Sequence, residues 1–364
     1  MSSPQTLLVD SLRRPESVPG LALPALDMLV RQARRAKLLA KLAVLIEDAG
    51  CLDKVHPAPR AHFRAARTFA DKHRRDVLWE VQCLEHALRD FPKVVLLKGA
   101  AYTLADLPGA RGRIFTDIDL MVPKNRIGEA ETALRHHGWI AGNRNAYDQH
   151  YYRTWMHQIP PLAHIRRESV IDVHHTIVPE TARTPVAAGK LFDAAIKLPD
   201  SPNMHVLAPA DMVLHSAVHL FDGGEFDIGP RDLSDLHDLF THFGMKAGFW
   251  PALWRRAQET GLTQSLYLAV HFTRSLLGTA VPAALLADLD AYRRAHPGLG
   301  VLLPLMARGV QPPHQSVESG MTGLARWLLY VRGHYQRMPL RLLIPHLVRK
   351  AVVSRLPEPA EEKA

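Results

Sequence analysis

The chain has 364 residues, of which 47% are hydrophobic and 22% charged, a composition typical of a folded globular protein. The formal net charge of +9 favours anionic partners such as nucleotides, nucleic acid or anionic surfaces, and the two cysteines exclude a disulfide-stapled scaffold. The first residues show no secretory signal and no apolar run reaches the ~18 residues of a membrane span, so a cytoplasmic protein is expected.

The N-terminal quarter of the sequence has a helical pattern. Its first 20 residues contain three prolines and end in glycine, which predicts a flexible leader. Leucine, isoleucine and valine then recur at helical spacing, which predicts one helix over 24–49 and a second over 57–89. We therefore expect an N-terminal helical region over 21–90.

The pattern changes to short apolar runs near residue 93. KVVLL, TDIDLMV, WIAG, HYYRTWMHQI, PLAHIRR and SVIDVHHTIV predict strands, whereas AAYTLADL and NRIGEAETALRHHG predict helices. The order strand–helix–strand–helix, followed by several strands, predicts a small mixed sheet with helices on one face. We place this α/β (α+β) domain at 91–200.

Helical patterns return after residue 200. PADMVLHSAVHLF and PRDLSDLHDLFTHFG are the clearest of them, and they predict a C-terminal helical domain over 201–350. The tail, 351–364, is polar and expected to be disordered. Residues 326–355 contain seven Arg/Lys, and no acid lies between Glu318 and Glu358. This basic region could bind nucleic acid or an anionic membrane, or form the solvated face of a packed helix.

Two aspartates lie one residue apart inside the predicted strand TDIDLMV. Because strand side chains alternate between faces, Asp117 and Asp119 point the same way, and Ile118 and Leu120 point to the other side. Such a carboxylate pair suits hard divalent cations, as in two-metal phosphoryl-transfer sites. Asp172, in the later strand SVIDVHHTIV, could supply a third carboxylate.

Basic residues and a glycine flank the acidic strand. Lys98 and Gly99 follow one strand and open a helix, where a glycine permits close approach of phosphate to the backbone. Arg113 lies four residues before Asp117 and could hold phosphate oxygens. The sequence therefore predicts a site for a metal-bound phosphate ligand.

The segments LLKGAAYTLADL, RIFTDIDLMV and IDVHH together resemble an uncharacterised nucleotidyltransferase-like family of the DNA polymerase β superfamily. The resemblance is dense over 94–178 and looser over the two clear C-terminal helices. It implies that Asp117 and Asp119 ligate two Mg²⁺ ions and that Asp172 completes the metal site and acts as base. It also implies that Gly99 lies against the triphosphate.

By the same resemblance, Lys98 and Arg113 are candidate phosphate contacts. The expected reaction is Mg²⁺-dependent transfer of a nucleoside monophosphate from an NTP, such as ATP, to an acceptor hydroxyl. The acceptor could be a small molecule, a sugar, a protein side chain or an RNA end. Ala100 and Ala101 stand where the wider superfamily usually has Gly or Ser, so a catalytically silent nucleotide-binding or regulatory module is the alternative.

Histidines support a third reading. His215 and His219 share one face of a predicted helix, and His237 precedes Asp238 in the next helix. Such pairs are the ligands of metal-dependent His-Asp phosphohydrolases. His174 could ligate metal, contact substrate or be a core histidine. For Arg231, Asp232 and Asp235 we expect a helix N-terminal cap and an interhelix salt bridge, with a substrate or nucleotide contact as the alternative.

Overall fold

The computed structural model describes residues 3–142 and 146–345. Among them the N-terminal helices are α1 (Leu7–Arg13), α2 (Leu23–Arg35), α3 (Leu39–Asp48) and α4 (Pro57–Ala87). The central helices are α5 (Lys98–Leu104), α6 (Ile127–His136), α7 (Ala146–Trp155) and α8 (Ala188–Ala194). The C-terminal helices are α9 (Pro209–Asp222), α10 (Gly229–Gly244), α11 (Phe249–Glu259), α12 (Thr263–Phe272), α13 (Ala283–Ala295), α14 (Leu299–Gly309) and α15 (Gly320–Arg337).

A mixed sheet of seven strands lies at the centre of the described residues. Its strands are β1 (Val94–Leu96), β2 (Asp117–Met121), β3 (Trp139–Ala141), β4 (Leu162–His164), β5 (Val170–His174), β6 (Ile196–Lys197) and β7 (Met204–Val206). They are ordered β3-β4-β5-β2-β1-β7-β6. The β2–β5 and β1–β7 pairs are parallel and the others antiparallel. The fold is therefore mixed α/β with helical flanks, as predicted.

Alternation along β2 and β5 assigns one face of each strand to the hydrophobic core. Ile118, Leu120, Ile171 and Val173 are all buried in the main hydrophobic cluster. This cluster also contains the second half of α4 and the C-terminal helices α9 to α14. The residues between these apolar positions, including the two predicted acids Asp119 and Asp172, therefore point away from it.

A second, smaller hydrophobic cluster is formed by the N-terminal helices. Leu7, Leu8 and Val18 belong to it, together with α2, α3 and the start of α4. The prediction of a flexible leader over residues 1–20 is therefore wrong from residue 3 onward, because α1 buries its leucines and Pro15–Gly20 forms a 3₁₀ helix. The prolines shape that short helix rather than preventing one.

Two other predictions fail in detail. The single helix over 24–49 is two helices, because the chain passes through a left-handed residue, Lys37 (φ 56°), between α2 and α3. The segment HYYRTWMHQI was expected to be a strand, but most of it lies in α7. There Arg153 donates to Gln149 one turn earlier and pairs with Glu131 of α6, contacts that a helical spacing allows.

The remaining predicted strands are confirmed, as are the helices α4, α5, α6, α9 and α10. The division into an N-terminal helical region, a domain over 91–200 and a C-terminal domain over 201–350 stays a prediction, and one continuous core runs from Val77 to Leu329. The tail, 351–364, lies outside the described residues, as does the basic region beyond 345. Within 3–142 and 146–345, no helix has both the length and the apolar character needed to cross a membrane.

Candidate active site

The parallel pairing of β2 with β5 brings two predicted acids together. Asp119 lies opposite Asp172 in the register, and Met121 lies opposite His174. Residues paired across neighbouring strands project to the same face of the sheet. The pairing therefore places two carboxylates and an imidazole on one face, opposite the apolar side chains of Ile118 and Ile171.

Lys98 reaches this face from the end of β1. Leu97 still belongs to the sheet, because its N–H donates to the carbonyl of Asp119 at 2.9 Å. The chain then turns sharply at Lys98, whose φ of 45° is unusual for a residue with a side chain. The ammonium of Lys98 donates to Asp119 Oδ1 at 3.1 Å. The strained turn at Lys98 thus places its ammonium beside the buried carboxylate of Asp119.

Asp119 is ionised in these surroundings. Its side chain is 6% exposed, and burial alone would raise the pKa of its carboxyl. Lys98 and His174 outweigh burial and hold the pKa of Asp119 well below its ordinary value. An ionised carboxylate can only accept hydrogen bonds, so His174 donates its Nε2–H to Asp119 Oδ1, at 2.9 Å.

A second histidine lies behind His174. A bridge between Gln158 and His174 and a bond from the His175 N–H to the His157 carbonyl hold the segment before β4 against β5. The rings of His157 and His174 are 5.0 Å apart between centroids. Burial, then His174, holds the pKa of His157 well below its ordinary value, so His157 is neutral.

Asp172 is the acid of the site with a buried oxygen that no described residue contacts by a hydrogen bond. Its Oδ1 is buried and has no hydrogen-bond partner among the described residues, and the same is true of Nδ1 on His174 and on His157. Burial and the neighbouring charge of Asp119 raise the pKa of Asp172 to about 6. A buried polar atom without a partner is costly, so this one marks a position where a ligand would be favourable.

Asp119, Asp172 and His174 form a possible metal-binding group. Each offers one ligand atom, and these atoms lie within 4.8 Å of one another. Two carboxylate oxygens suit a hard divalent cation, and an imidazole is compatible with several divalent metals. The donor set and the orphaned Oδ1 of Asp172 therefore fit a bound cation. It is the one such group found among the described residues, and Asp117 is not a member.

Asp117 lies at the start of β2, on the wall of a cavity of about 510 Å³. The cavity opens between α4 and the turn that precedes β5, and its walls include Trp79 and Arg167. The Thr116 hydroxyl donates to Asp117 Oδ1 at 3.3 Å. Alternation predicted that Asp117 and Asp119 would act together, but the closest donor group forms across the strands, with Asp172 and His174, rather than along β2.

Gly99 and Arg113 are packed against each other. A Cβ on Gly99 would lie 2.1 Å from Arg113 Nη1 and 2.6 Å from the ring of Phe115, so packing alone excludes a side chain here. Arg113 is buried, and its Nε donates to Asp235 Oδ2 at 2.8 Å. Its guanidinium also lies within 5.4 Å of the Tyr102 ring centroid. The predicted phosphate contacts of both residues stay predictions.

Histidines of α9 border the site. His215 is buried, and burial, followed by the charge of Lys98, holds its pKa well below the ordinary value. His219, one turn later, has a side chain 40% exposed and lies 3.3 Å from Asp232 Oδ2 through its Nδ1. The charge of Lys98, followed by burial, lowers the pKa of His219. α9 therefore supplies neutral imidazoles near the ammonium of Lys98.

The acids of α10 are bound by side chains but form no cap. The residue before α10 makes no side-chain capping bond, so the predicted cap is wrong. Asp232 instead pairs with Arg231 of the same helix at 2.8 Å and contacts the His219 imidazole of α9 at 3.3 Å. Asp235 pairs with Arg113, which lies before β2, so neither acid forms the predicted interhelix salt bridge. His237 bonds to the Thr279 hydroxyl and Asp238 to Lys41, and neither belongs to a metal-binding group among the described residues.

Comparison with known families identifies the chain. The sequence model of a family described as uncharacterised nucleotidyltransferases matches residues 25–278, more than half of the chain. The chain belongs to this family. No curated protein and no solved structure gave a match. The family points to transfer of nucleotidyl groups, and the Asp119–Asp172–His174 group is a possible metal site within the matched region.

Sequence reasoning found the acids of this site but not all of its histidines. His174 is a candidate from the sequence because it alternates with Asp172 in β5. His157 lies in a segment expected to be a strand of its own, so nothing indicated that it would meet His174. The sequence is rich in histidine, with 21 residues, but this count does not indicate which histidines lie at the site.

Proposed function

We propose that this protein is a Mg²⁺-dependent nucleotidyltransferase that transfers a nucleoside monophosphate from an NTP to an acceptor hydroxyl, with pyrophosphate as leaving group. Membership of the nucleotidyltransferase family supports the reaction class. The observation that carries the proposal is the pairing of Asp119 with Asp172 across β2 and β5, with Oδ1 of Asp172 left without a partner among the described residues. The acceptor is a small molecule, a sugar, a protein side chain or an RNA end.

Asp119 and Asp172 would hold the metal, with His174 beside them and Asp117 as the further ligand that the resemblance implies. A bound Mg²⁺ would neutralise charge on the phosphates of the donor and so favour attack at phosphorus. His174 keeps its Nε2–H on Asp119 and thereby fixes the orientation of that carboxylate. The buried setting excludes water and strengthens each of these interactions.

Asp172 would accept the proton of the acceptor hydroxyl. In that step the acceptor oxygen forms a bond to the α-phosphorus, the bond from this phosphorus to the pyrophosphate oxygen breaks, and the proton moves to Asp172. A pKa of about 6 makes Asp172 a stronger base than an ordinary aspartate while leaving it mostly ionised at neutral pH. Burial and the charge of Asp119, which raise this pKa, thus suit the role.

Lys98 would contact the phosphates of the donor. Its side chain is 17% exposed, and it already donates to Asp119, so its ammonium lies beside the carboxylates that would hold the metal. Gly99, next to it, would let the triphosphate approach the start of α5. Arg113 could contact phosphate only if its ion pair with Asp235 broke, so we propose Lys98 as the main phosphate contact.

The second candidate function is a nucleotide-binding module without catalysis. Ala100 and Ala101 are buried at the start of α5, where a serine hydroxyl would have offered a phosphate contact. The first turn of α5 packs on Arg113 and Phe115 through Gly99. These contacts favour a weaker hold on the triphosphate than a hydroxyl-bearing turn would give. No observation favours the His-Asp phosphohydrolase reading.

Binding and turnover should be measured separately. Isothermal titration of each NTP with Mg²⁺ or Mn²⁺ gives binding, and pyrophosphate release with pools of sugars, small alcohols, peptides and RNA gives turnover. Asp119→Asn and Asp172→Asn are expected to abolish turnover, whereas Asp27→Asn, which alters an exposed ion pair on α2, is the matched control. NTP binding that survives both substitutions, with no pyrophosphate from any pool, would favour the silent module.

A further inference from the structure

Arg337, the last residue of α15, is a half-buried cation. Its guanidinium forms no ion pair and no hydrogen bond with the residues of 3–142 and 146–345. Arg332, earlier on the same helix, by contrast donates to the Phe221 carbonyl at 2.8 Å and to Asp222 at 3.2 Å. A charge that is partly removed from water is costly unless an opposite charge compensates it. Arg337 therefore marks a position where an anion would bind favourably.

Backbone contacts fix the position of Arg337. The Thr181 hydroxyl donates to the Arg337 carbonyl at 2.8 Å and lies 3.2 Å from the Trp155 carbonyl. The N–H of Arg183 donates to the Gln336 carbonyl at 2.9 Å. These contacts join the end of α15 to the end of α7 and to the segment that follows β5. They involve the backbone of α15, so they do not depend on the Arg337 side chain.

The Arg337 side chain lies against the end of α9. A Cβ on Gly223, the residue after α9, would lie 3.2 Å from Arg337 Nη2 and 2.5 Å from the His219 carbonyl oxygen. The guanidinium therefore lies over the last turn of α9, where Gly223 has no side chain to obstruct it. His219 borders the candidate active site, because the charge of Lys98 is the main cause of its lowered pKa.

Arg337 is also close to His157. Burial and the neighbouring His174 are the main causes of the low pKa of His157. The charges of Lys98 and Arg337 lower this pKa further, so both cations lie near this imidazole. The ring centroid of His157 is in turn 5.0 Å from that of His174, a member of the possible metal-binding group. Lys98 and Arg337 are therefore two cations that border the same candidate site.

We propose that Arg337 binds the phosphates of the NTP that leave as pyrophosphate. This role rests on the nucleotidyl transfer proposed above. A guanidinium presents two parallel N–H donors that match two phosphate oxygens, and its charge is not lost by deprotonation. It would stabilise the negative charge that builds on the leaving pyrophosphate. Arg337 lies beyond residues 25–278, so the family match does not assign this role.

The other cations near the site are already engaged. Lys98 divides its charge between Asp119 and any phosphate that it contacts, because it donates to that carboxylate at 3.1 Å. Arg113 is paired with Asp235 at 2.8 Å. Arg337 has no such partner among the described residues, so its full charge is available to a ligand. It would therefore add to the phosphate contact of Lys98.

Calorimetric titration of the full chain tests this role, with the Mg²⁺ complexes of an NTP, of the corresponding NMP and of inorganic tripolyphosphate as ligands. Arg337→Met should weaken binding of the NTP and of tripolyphosphate about ten- to a hundredfold, because charged hydrogen bonds are lost. Binding of the NMP should not change, because the NMP lacks the phosphates that leave. Arg337→Lys should lose less affinity than Arg337→Met, because it keeps the charge.

Arg294→Met is the matched control. It removes an exposed arginine from the last turn of α13, and it should bind all three ligands as the wild type does. The side chain of Arg337 makes no hydrogen bond to a described residue, so Arg337→Met should also keep the urea midpoint of the wild type. An equal loss of affinity for the NTP and the NMP would overturn the role, as would unchanged affinity for the NTP and tripolyphosphate.

The role of Arg337 and the transfer reaction can fail separately. Pyrophosphate release that depends on Asp119 and Asp172 but not on Arg337 would overturn the role of Arg337 and leave the reaction standing. Tripolyphosphate binding that depends on Arg337, with no pyrophosphate released from any acceptor pool, would support the phosphate contact and overturn the reaction. A wild type that binds neither the NTP nor tripolyphosphate would overturn both.

Discussion

Two groups of buried charges are balanced differently. The arginine cluster is made of Arg113, Arg231, Asp232 and Asp235, and the site cluster is made of Lys98, Asp119, Asp172 and His174. In the first, each carboxylate has an arginine of its own. In the second, Lys98 and His174 both contact Asp119, and Oδ1 of Asp172 has no partner among the described residues.

The difference separates a structural arrangement from a functional one. Arg113 pairs with Asp235 at 2.8 Å and lies 5.2 Å from the Phe115 ring centroid, so its charge is neutralised and its plane is covered. Burial raises the pKa of both Asp172 and Asp235, so the clusters differ in their contacts: Asp235 has Arg113, whereas Oδ1 of Asp172 has no partner among the described residues. A buried carboxylate that lacks a cation is costly unless a ligand supplies one. We therefore expect the loss of a carboxylate from the arginine cluster to destabilise the protein. The loss of the Asp172 charge from the site cluster should instead stabilise the metal-free protein.

Removing Asp235 should have the largest effect on stability. Asp235→Ala leaves the buried guanidinium of Arg113 unpaired, and we expect a loss of about 3–5 kcal/mol in the free energy of unfolding. Urea unfolding followed by circular dichroism measures it. The double variant Arg113→Met/Asp235→Leu removes both charges and should recover most of the loss; a double variant as unstable as the single one would show that the pair itself stabilises the fold.

Removing the charge of Asp119 should cost less stability but eliminate metal binding. Asp119→Asn separates a carboxylate from Lys98 and His174, and we expect a loss of about 1–3 kcal/mol. The affinity for Mn²⁺, followed by electron paramagnetic resonance, should fall about a hundredfold or more, because even outer-shell changes cost about ten- to a hundredfold. Unchanged Mn²⁺ affinity would show that the cation does not bind at Asp119.

Removing the charge of Asp172 should raise the stability of the metal-free protein. The folded pKa of about 6 lies above the ordinary aspartate value of 3.8, so the folded state binds this proton more tightly and the stability of the wild type falls as pH rises from about 4 to about 6. In EDTA, Asp172→Asn should therefore gain up to about 3 kcal/mol at pH ~7 and little at pH ~4. A gain of equal size at both pH values would contradict the role of ionisation.

Asp117 should give the smallest effect of the four. It lies on a cavity wall outside the Asp119–Asp172–His174 group, so Asp117→Asn should change the free energy of unfolding by about 0.5 kcal/mol or less. The Mn²⁺ affinity should fall less than in Asp119→Asn. A fall as large as that of Asp119→Asn would instead make Asp117 a full metal ligand, as the family resemblance implies.

The sequence predicted the strands of the site better than their partners. Alternation in DIDL and in IDVHH indicated which side chains leave the core, and this suffices to select Asp119 and Asp172. Periodicity carries no information on register, so the pairing of these two acids could not be derived from it. The sequence also does not indicate that Arg113 pairs with Asp235, 122 residues further on. Arg113 was instead a candidate contact of the phosphates.

The same limitation explains the two failures at the surface of the fold. Proline content suggested a mobile leader, but whether Leu7 and Leu8 find a hydrophobic partner depends on α2 and α3, which the local sequence does not describe. A strand was expected at α7, but the pairing of Arg153 with Glu131 on α6 forms only in the folded chain. Tertiary contacts override local propensity in both places.

The separation of Asp119 and His174 by 55 positions has a consequence for folding. Parallel strands cannot be joined by a tight turn, so α6, β3, α7 and β4 must all be traversed before β2 meets β5. The chain loses conformational entropy when this long connection closes, before the pairing of β2 with β5 contributes to stability. A ligand bound between β2 and β5 would therefore stabilise a strand pairing that forms late in folding. It should slow the unfolding of the whole sheet.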